Sequence, residues 1–361
     1  MTIWLILTIL AIALFIYILF RKFENSKKWL KLILALGSFI LIGFTLFKYL
    51  VPLYPSPEPK GAEKVLTDAI YFKHETNFPK MSTDGKEREI PVDVWYPENL
   101  EKSKHPLMLF SHGAFGVGLS NETMYKELAS RGYIVMSLNH PYHSFFAKMS
   151  NGTEIKVDFG FMKEVLSSQG VENLKKTLDS LNNWLDIRLE DINYVVDKLL
   201  DTETDNKYEN YIDSEHIVLS GHSLGGSAML ALGREHPEKF TSLVILESPF
   251  VKDITGIENN KYTFVDEKYP LPVLHIYSDA IYDRLSEITT YDMNYRLIKA
   301  NNPKYRNVRI SGVGHIGLTD MALTSPFFTN MIDGGLNSRK APETLLEIND
   351  IVLDFLGEYN K

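Results

Sequence analysis

Gly221-His222-Ser223-Leu224-Gly225 constrains the fold more than any other stretch of this chain, because of what flanks it. Residues 216–220 before it are mostly apolar and of strand length. After it come the small residues Gly226, Ser227 and Ala228, then the helix formers Met229, Leu230, Ala231 and Leu232. Strand, Gly-x-Ser-x-Gly and helix in that order predict a tight turn that lifts a serine hydroxyl off the end of a strand. The helix that follows aims its first N–H groups and the positive end of its dipole at the same place. Ser223 is therefore the candidate nucleophile, with the Leu224 N–H as one oxyanion donor.

A strand feeding such a turn belongs in a layered α/β domain, and the chain after residue 63 fits one. Apolar runs at 90–96, 107–111, 133–138, 217–220, 243–246, 273–277 and 308–310 alternate with helical patterns. Several are continuously apolar and rich in Val, Ile and Leu, as strands buried on both faces of a mostly parallel central sheet must be. A long insertion at 144–213 interrupts them. Leu178, Leu181, Leu185, Leu189, Ile192, Val196 and Leu199 in its second half recur at helical spacing, which reads as core packing. Residues 144–170 are a candidate lid. Residues 201–206 are polar and read as a solvated loop. With 361 residues, 45% hydrophobic and 23% charged, the chain can bury a substantial core.

The N-terminal segment has a different character. Residues 3–20 are an uninterrupted apolar run long enough to cross a bilayer. Arg21, Lys22, Lys27, Lys28 and Lys31 follow, opposed only by Glu24, and a second apolar run extends from 32 to 47, or to 53 if Lys48 snorkels. For the first run, the alternative of a cleaved signal peptide would want a basic segment before the apolar core and a small-residue cleavage site, and neither is evident. We read residues 1–53 as a two-span transmembrane hairpin in the cell membrane. Its basic loop is expected in the cytoplasm and the catalytic domain, 63–361, outside the cell. Pro52, Pro55, Pro57 and Pro59 make 54–62 a stiff Pro-rich linker. The net charge of −8 and the lack of a broad basic stripe argue against a nucleic-acid partner. The absence of cysteine excludes disulfides and thiolate metal sites. No cofactor or metal is expected.

A serine nucleophile needs a second oxyanion donor, a base and an acid. Ser111-His112-Gly113-Ala114-Phe115-Gly116 leaves the 107–111 run as a glycine-rich loop, and the Ala114 N–H is the candidate second donor. Of the ten histidines, His315 lies late, in the glycine-flanked Val313-Gly314-His315-Ile316-Gly317, where chain order puts the base. His236 and His275 follow Ser223 too closely, and His275 sits in an apolar run as a core imidazole would. His140-Pro141-Tyr142-His143 has metal-like spacing but no carboxylate nearby in sequence, and reads as loop structure. Two carboxylates end the strands after Ser223, Glu247 and Asp279, and either could orient the base. Asp283 and Asp320 are lesser candidates.

With these residues in place the chain resembles plasma-type platelet-activating-factor acetylhydrolases and their bacterial relatives, near dienelactone hydrolase within the α/β-hydrolases. The resemblance spans about residues 90–323. It rests on Val92-Asp93-Val94-Trp95-Tyr96-Pro97, Phe110-Ser111-His112-Gly113, Arg131-Gly132-Tyr133-Ile134-Val135, the Gly-His-Ser-Leu-Gly-Gly turn, and His315 followed by Thr319-Asp320. It implies an α/β-hydrolase fold, with Ser223 as nucleophile, His315 as base and Ala114 and Leu224 as oxyanion donors. The family's acid falls at Glu247, where an aspartate is usual. The implied activity is metal-independent hydrolysis of short or oxidised acyl esters of phospholipids, so the expected partner is a lipid or small ester. An acyltransferase or peptidase would use the same triad. A surface binding protein on the same scaffold would need none of these groups.

Overall fold

The computed structural model describes residues 2–168, 173–201 and 206–360. Residues 169–170 of the candidate lid and 202–205 of the polar loop lie outside these. The central sheet has eight strands: β1 (Val65–Glu75), β2 (Glu87–Pro97), β3 (His105–Ser111), β4 (Ile134–Leu138), β7 (Ile212–His222), β8 (Ser242–Leu246), β11 (Val273–Tyr277) and β12 (Tyr305–Arg309). Two hairpins, β5/β6 (Phe146–Lys148, Glu154–Lys156) and β9/β10 (Ile254–Glu258, Lys261–Phe264), stand apart from it. The order β1-β2-β4-β3-β7-β8-β11-β12 is antiparallel only where β2 meets β1 and β4. The structure is thus an α/β-hydrolase fold with a mostly parallel sheet.

The continuously apolar runs are explained by how strands split their side chains. Successive residues point to opposite faces. Leu107, Leu109, Leu219, Leu243 and Ile245 enter one core, with α5 (Leu174–Leu200) and α6 (Leu224–Glu235). Met108, Phe110, Val218, Val244 and Leu246 enter the other, with α3 (Glu122–Ala129) and α10 (Ala341–Tyr359). Both faces are covered, so alternation disappears from the sequence. Each fully buried Leu, Ile or Val contributes roughly 1.5–3 kcal/mol. The apolar stripe read on the 144–213 insertion is the buried face of α5, from Trp184 to Leu199, so that half of the insertion belongs to the core.

β1 is the strand of the central sheet that the apolar runs do not include, and the strands of the two small hairpins are likewise absent from them. The exposure of β1 alternates along its length, as befits an edge strand with one wet face, and its polar residues broke the apolar signal. β12 begins earlier than the 308–310 run suggests, because its half-exposed residues are held by parallel pairing with β11.

Two N-terminal helices, α1 (Thr2–Phe20) and α2 (Lys28–Leu50), pack as a hairpin, with Trp4 on Phe44 and Phe15 on Phe39. Ile3–Phe20 and Asn25–Leu50 are long and apolar enough to cross a bilayer, with mean hydropathies of 2.9 and 2.2. The Pro-rich stretch after them is laid along the domain rather than bridging a gap. Leu53 and Tyr54 N–H groups donate to the carbonyls of Thr324 and Leu323, and the Lys60 N–H donates to Glu127 at 2.8 Å. Ser325, which starts α9 (Pro326–Ile332) just after the short α8 (Met321–Thr324), donates its hydroxyl to the Leu50 carbonyl. The remaining helices are α4 (Phe159–Ser168) and α7 (Asp292–Ala300).

Candidate active site

Ser223 sits between the end of β7 and the start of α6 with φ 52° and ψ −124°. A non-glycine residue is strained there, and the surrounding contacts over-determine it. Its N–H donates to the Leu246 carbonyl at 3.0 Å, tying the turn to the end of β8. A Cβ on Gly225 would lie 2.0 Å from the Ser111 carbonyl oxygen, so only glycine lets α6 start this close to the loop leaving β3. On the other side of the serine, a Cβ on Gly113 would lie 3.2 Å from the Ser223 Cβ. The loop after β3 is thereby pressed against the turn. Among the described residues, neither the Ala114 N–H nor the Leu224 N–H has an acceptor.

Leu246 is followed by Glu247, fully buried and itself at φ 45°. One carboxylate oxygen accepts the Ser278 N–H at 2.5 Å, and the other accepts the His315 Nδ1–H at 2.7 Å. His315 is reached from the far side through His222, whose ring lies 4.5 Å from that of His315 and whose Nε2–H donates to the His315 carbonyl at 3.1 Å. Asp333 accepts the N–H groups of Ile316 and Gly317, both at 2.9 Å, and so holds the loop that carries the histidine. Burial alone would lower the pKa of His315, but the hydrogen bond and charge of Glu247, with Asp333 behind, outweigh it and raise the value. With Nδ1–H committed to Glu247, Nε2 is the nitrogen free to take a proton. Among the described residues Ser223 Oγ has no hydrogen-bond partner and does not cap α6.

The other carboxylates are engaged elsewhere. Asp279 accepts from Arg309 Nε and from the Gly312 N–H, both at 2.7 Å, and so closes the loop after β12. Asp283 pairs with Arg309 at 2.8 Å. Asp320 accepts from the N–H and hydroxyl of Thr123, and burial pushes its pKa up to about 7. His275 is 2% exposed and stacks on Tyr277. Its Nε2 accepts the Ser248 N–H at 3.1 Å.

One cluster escaped the sequence reading. His140, read as loop structure for want of a carboxylate, donates Nδ1–H to Asp191 of α5 at 2.8 Å. Arg88 of β2 forks onto the same carboxylate at 2.6 and 2.9 Å. Arg188, one turn before Asp191, reaches the loop after β3. The missed signal was local: Arg188 stands between Leu185 and Ile192 on the apolar stripe, where a charge must be paired if the stripe is buried. No cluster of three or more His, Asp or Glu suited to a metal ion occurs among the described residues.

Comparison with known proteins follows the same outline. The model of the family described as platelet-activating factor acetylhydrolase, isoform II, matches residues 86–360. A platelet-activating factor acetylhydrolase from the dog, Canis lupus familiaris, is 29% identical over 142 residues. That match covers 35% of this chain and only 31% of the dog protein's length. Among solved structures, a ferulic acid esterase from Streptomyces cinnamoneus superposes with a TM-score of 0.61 at 16% identity. The superposition covers 84% of this chain and 92% of the esterase, a likeness of fold.

Proposed function

Because the chain belongs to the platelet-activating factor acetylhydrolase isoform II family, we propose that it is a serine carboxylic ester hydrolase anchored in a membrane. Its substrates are short-chain or oxidised acyl esters of phospholipids or similar lipids. The observation that carries the reading is the 2.7 Å hydrogen bond from His315 to the buried Glu247, set beside a serine held at φ 52°. A structural histidine needs no such partner beside a strained serine.

Ser223 Oγ attacks the ester carbonyl while His315 Nε2 takes its proton, and Glu247 keeps the imidazole in the required tautomer and balances its charge. The tetrahedral oxyanion is received by the N–H groups of Ala114 and Leu224. Collapse expels the alcohol, which leaves with the proton from His315. Water, activated by the same histidine, then releases the acid and restores the serine. Every proton is returned, so no cofactor is called for.

The hairpin of α1 and α2 spans the membrane, with Arg21, Lys22, Lys27, Lys28 and Lys31 holding its loop in the cytoplasm and the catalytic domain outside. The exposed apolar side chains of both helices support the span, and the basic loop supports the orientation. β5, β6 and α4, lying beside the loop after β3, serve as the lid. The test is labelling with a fluorophosphonate followed by a panel of esters of graded acyl length. Modification of Ser223 with turnover of short acyl chains is the expected result; labelling at another residue, or none, overturns the reading.

A further inference from the structure

Arg188 lies on α5, in the segment that sequence alone set aside as an insertion, yet its side chain is fully buried against the loop after β3. Nη1 donates to the His112 carbonyl and to Ser111 Oγ, the latter at 3.3 Å. Nη2 donates to the Gly113 carbonyl at 3.2 Å. That last carbonyl also accepts the Nδ1–H of His112 at 2.7 Å and the Gly116 N–H at 3.1 Å, so among the described residues Arg188 is the one donor to it from outside the loop. The Gly113 carbonyl and the Ala114 N–H belong to one planar peptide and point in opposite directions. Whatever holds the carbonyl therefore aims the N–H.

We propose that Arg188 is a positioning residue of the oxyanion hole, fixing from α5 the Gly113–Ala114 peptide so that the Ala114 N–H faces the developing oxyanion. The inference rests on the reading of Ala114 as an oxyanion donor. A cation on the carbonyl also polarises the peptide and makes its N–H a stronger donor.

The surroundings supply what such a clamp requires. Asp191 is held in place by the Arg88 fork and by His140. Burial and the two arginines hold His140 neutral, down to about 4 against the pull of Asp191. With Nδ1–H on Asp191, its Nε2 accepts the Ser111 hydroxyl at 2.9 Å, which leaves Ser111 Oγ free to accept from Arg188. Burial likewise keeps His112 neutral, and its Nε2 accepts the Ser144 hydroxyl at 2.8 Å, which fixes Nδ1 as the donor to Gly113. The protons run one way through the network. The guanidinium fork spans two successive carbonyls, which a single ammonium does not do.

The test uses the full chain, with Arg188→Met and Arg188→Lys assayed on p-nitrophenyl acetate and inhibited by a trifluoromethyl ketone, which forms a tetrahedral adduct with serine. Arg188→Met is expected to lower kcat by about 30- to 100-fold at nearly constant KM. The affinity for the ketone should fall in parallel, and Arg188→Lys should lie between. A merely structural arginine would lower the active fraction, counted by fluorophosphonate, without weakening the ketone on the molecules that remain. If Arg188→Met does not fold, the lysine variant decides. Wild-type kcat and ketone affinity in the folded variants overturn the clamp, as does a loss of kcat with ketone affinity unchanged. A wild-type chain that fluorophosphonate does not label at Ser223 instead removes the underlying reading.

Discussion

Glu247 and His315 are 68 residues apart in the chain and 2.7 Å apart in space, joined by a hydrogen bond from the imidazole Nδ1–H to a carboxylate with no solvent exposure. Asp279, the other carboxylate that ends a strand, spends both oxygens on Arg309 and Gly312. The two should therefore answer differently to an amide replacement. Glu247→Gln is expected to cut kcat on the order of 10⁴-fold by favouring the wrong tautomer. Asp279→Asn should cost only a few-fold in kcat and show mainly as a lower melting temperature. Measuring kcat and thermal melting of both on one short-chain ester checks this. The reverse order would move the acid to Asp279.

The pH dependence follows from the raised pKa of His315. The base must be neutral to act, so kcat/KM should rise with pH through a midpoint above 6.5, the ordinary histidine value. Glu247→Gln should move that midpoint down. Stability has the opposite sign. A raised folded-state pKa stabilises fully below the unfolded value and is lost as pH climbs through the folded one. Wild type should therefore lose part of its melting advantage over Glu247→Gln across the same window in which its turnover rises. An acid limb below 6.5 in the wild type would contradict the pairing.

Ser223→Ala should abolish nearly all ester hydrolysis, on the order of 10⁴-fold or more, while the protein stays folded. Removal of the hydroxyl leaves the backbone contacts of the turn intact, including the bond from the Ser223 N–H to Leu246. Circular dichroism and kcat on purified protein are the measurements, and unchanged turnover would sink the mechanism.

Topology can be tested on a cysteine-free background, since the chain has none of its own. Ser26→Cys marks the loop between α1 and α2, and Lys86→Cys an exposed turn of the domain. A membrane-impermeant maleimide should label Lys86→Cys on intact cells and Ser26→Cys only after the membrane is breached. The opposite pattern would invert the orientation. Labelling is preferable to proteolysis here, because residues 53, 54, 60 and 61 are hydrogen-bonded to the domain and should resist cutting.

Much of this was legible in the sequence, wherever the information is local. Apolar runs with turn signals at their ends foretold most of the parallel strands, because a strand buried on both faces has little choice of residues. The turn at Ser223 was legible because its glycines, its preceding strand and its following helix are contiguous, and two long apolar runs announce helices suited to a bilayer. Residue order alone left Glu247 and Asp279 as alternatives, each a carboxylate after a strand, and the family resemblance favoured Glu247. Only the packing of β8, β11 and the loop after β12 decided which one meets His315 and which one meets Arg309. The same holds for Arg188 and Asp191, whose partners come from β2, β3 and the end of β4. A buried charge declares itself by interrupting an apolar stripe, but the group that neutralises it is chosen by the sheet order, which brings distant segments into contact.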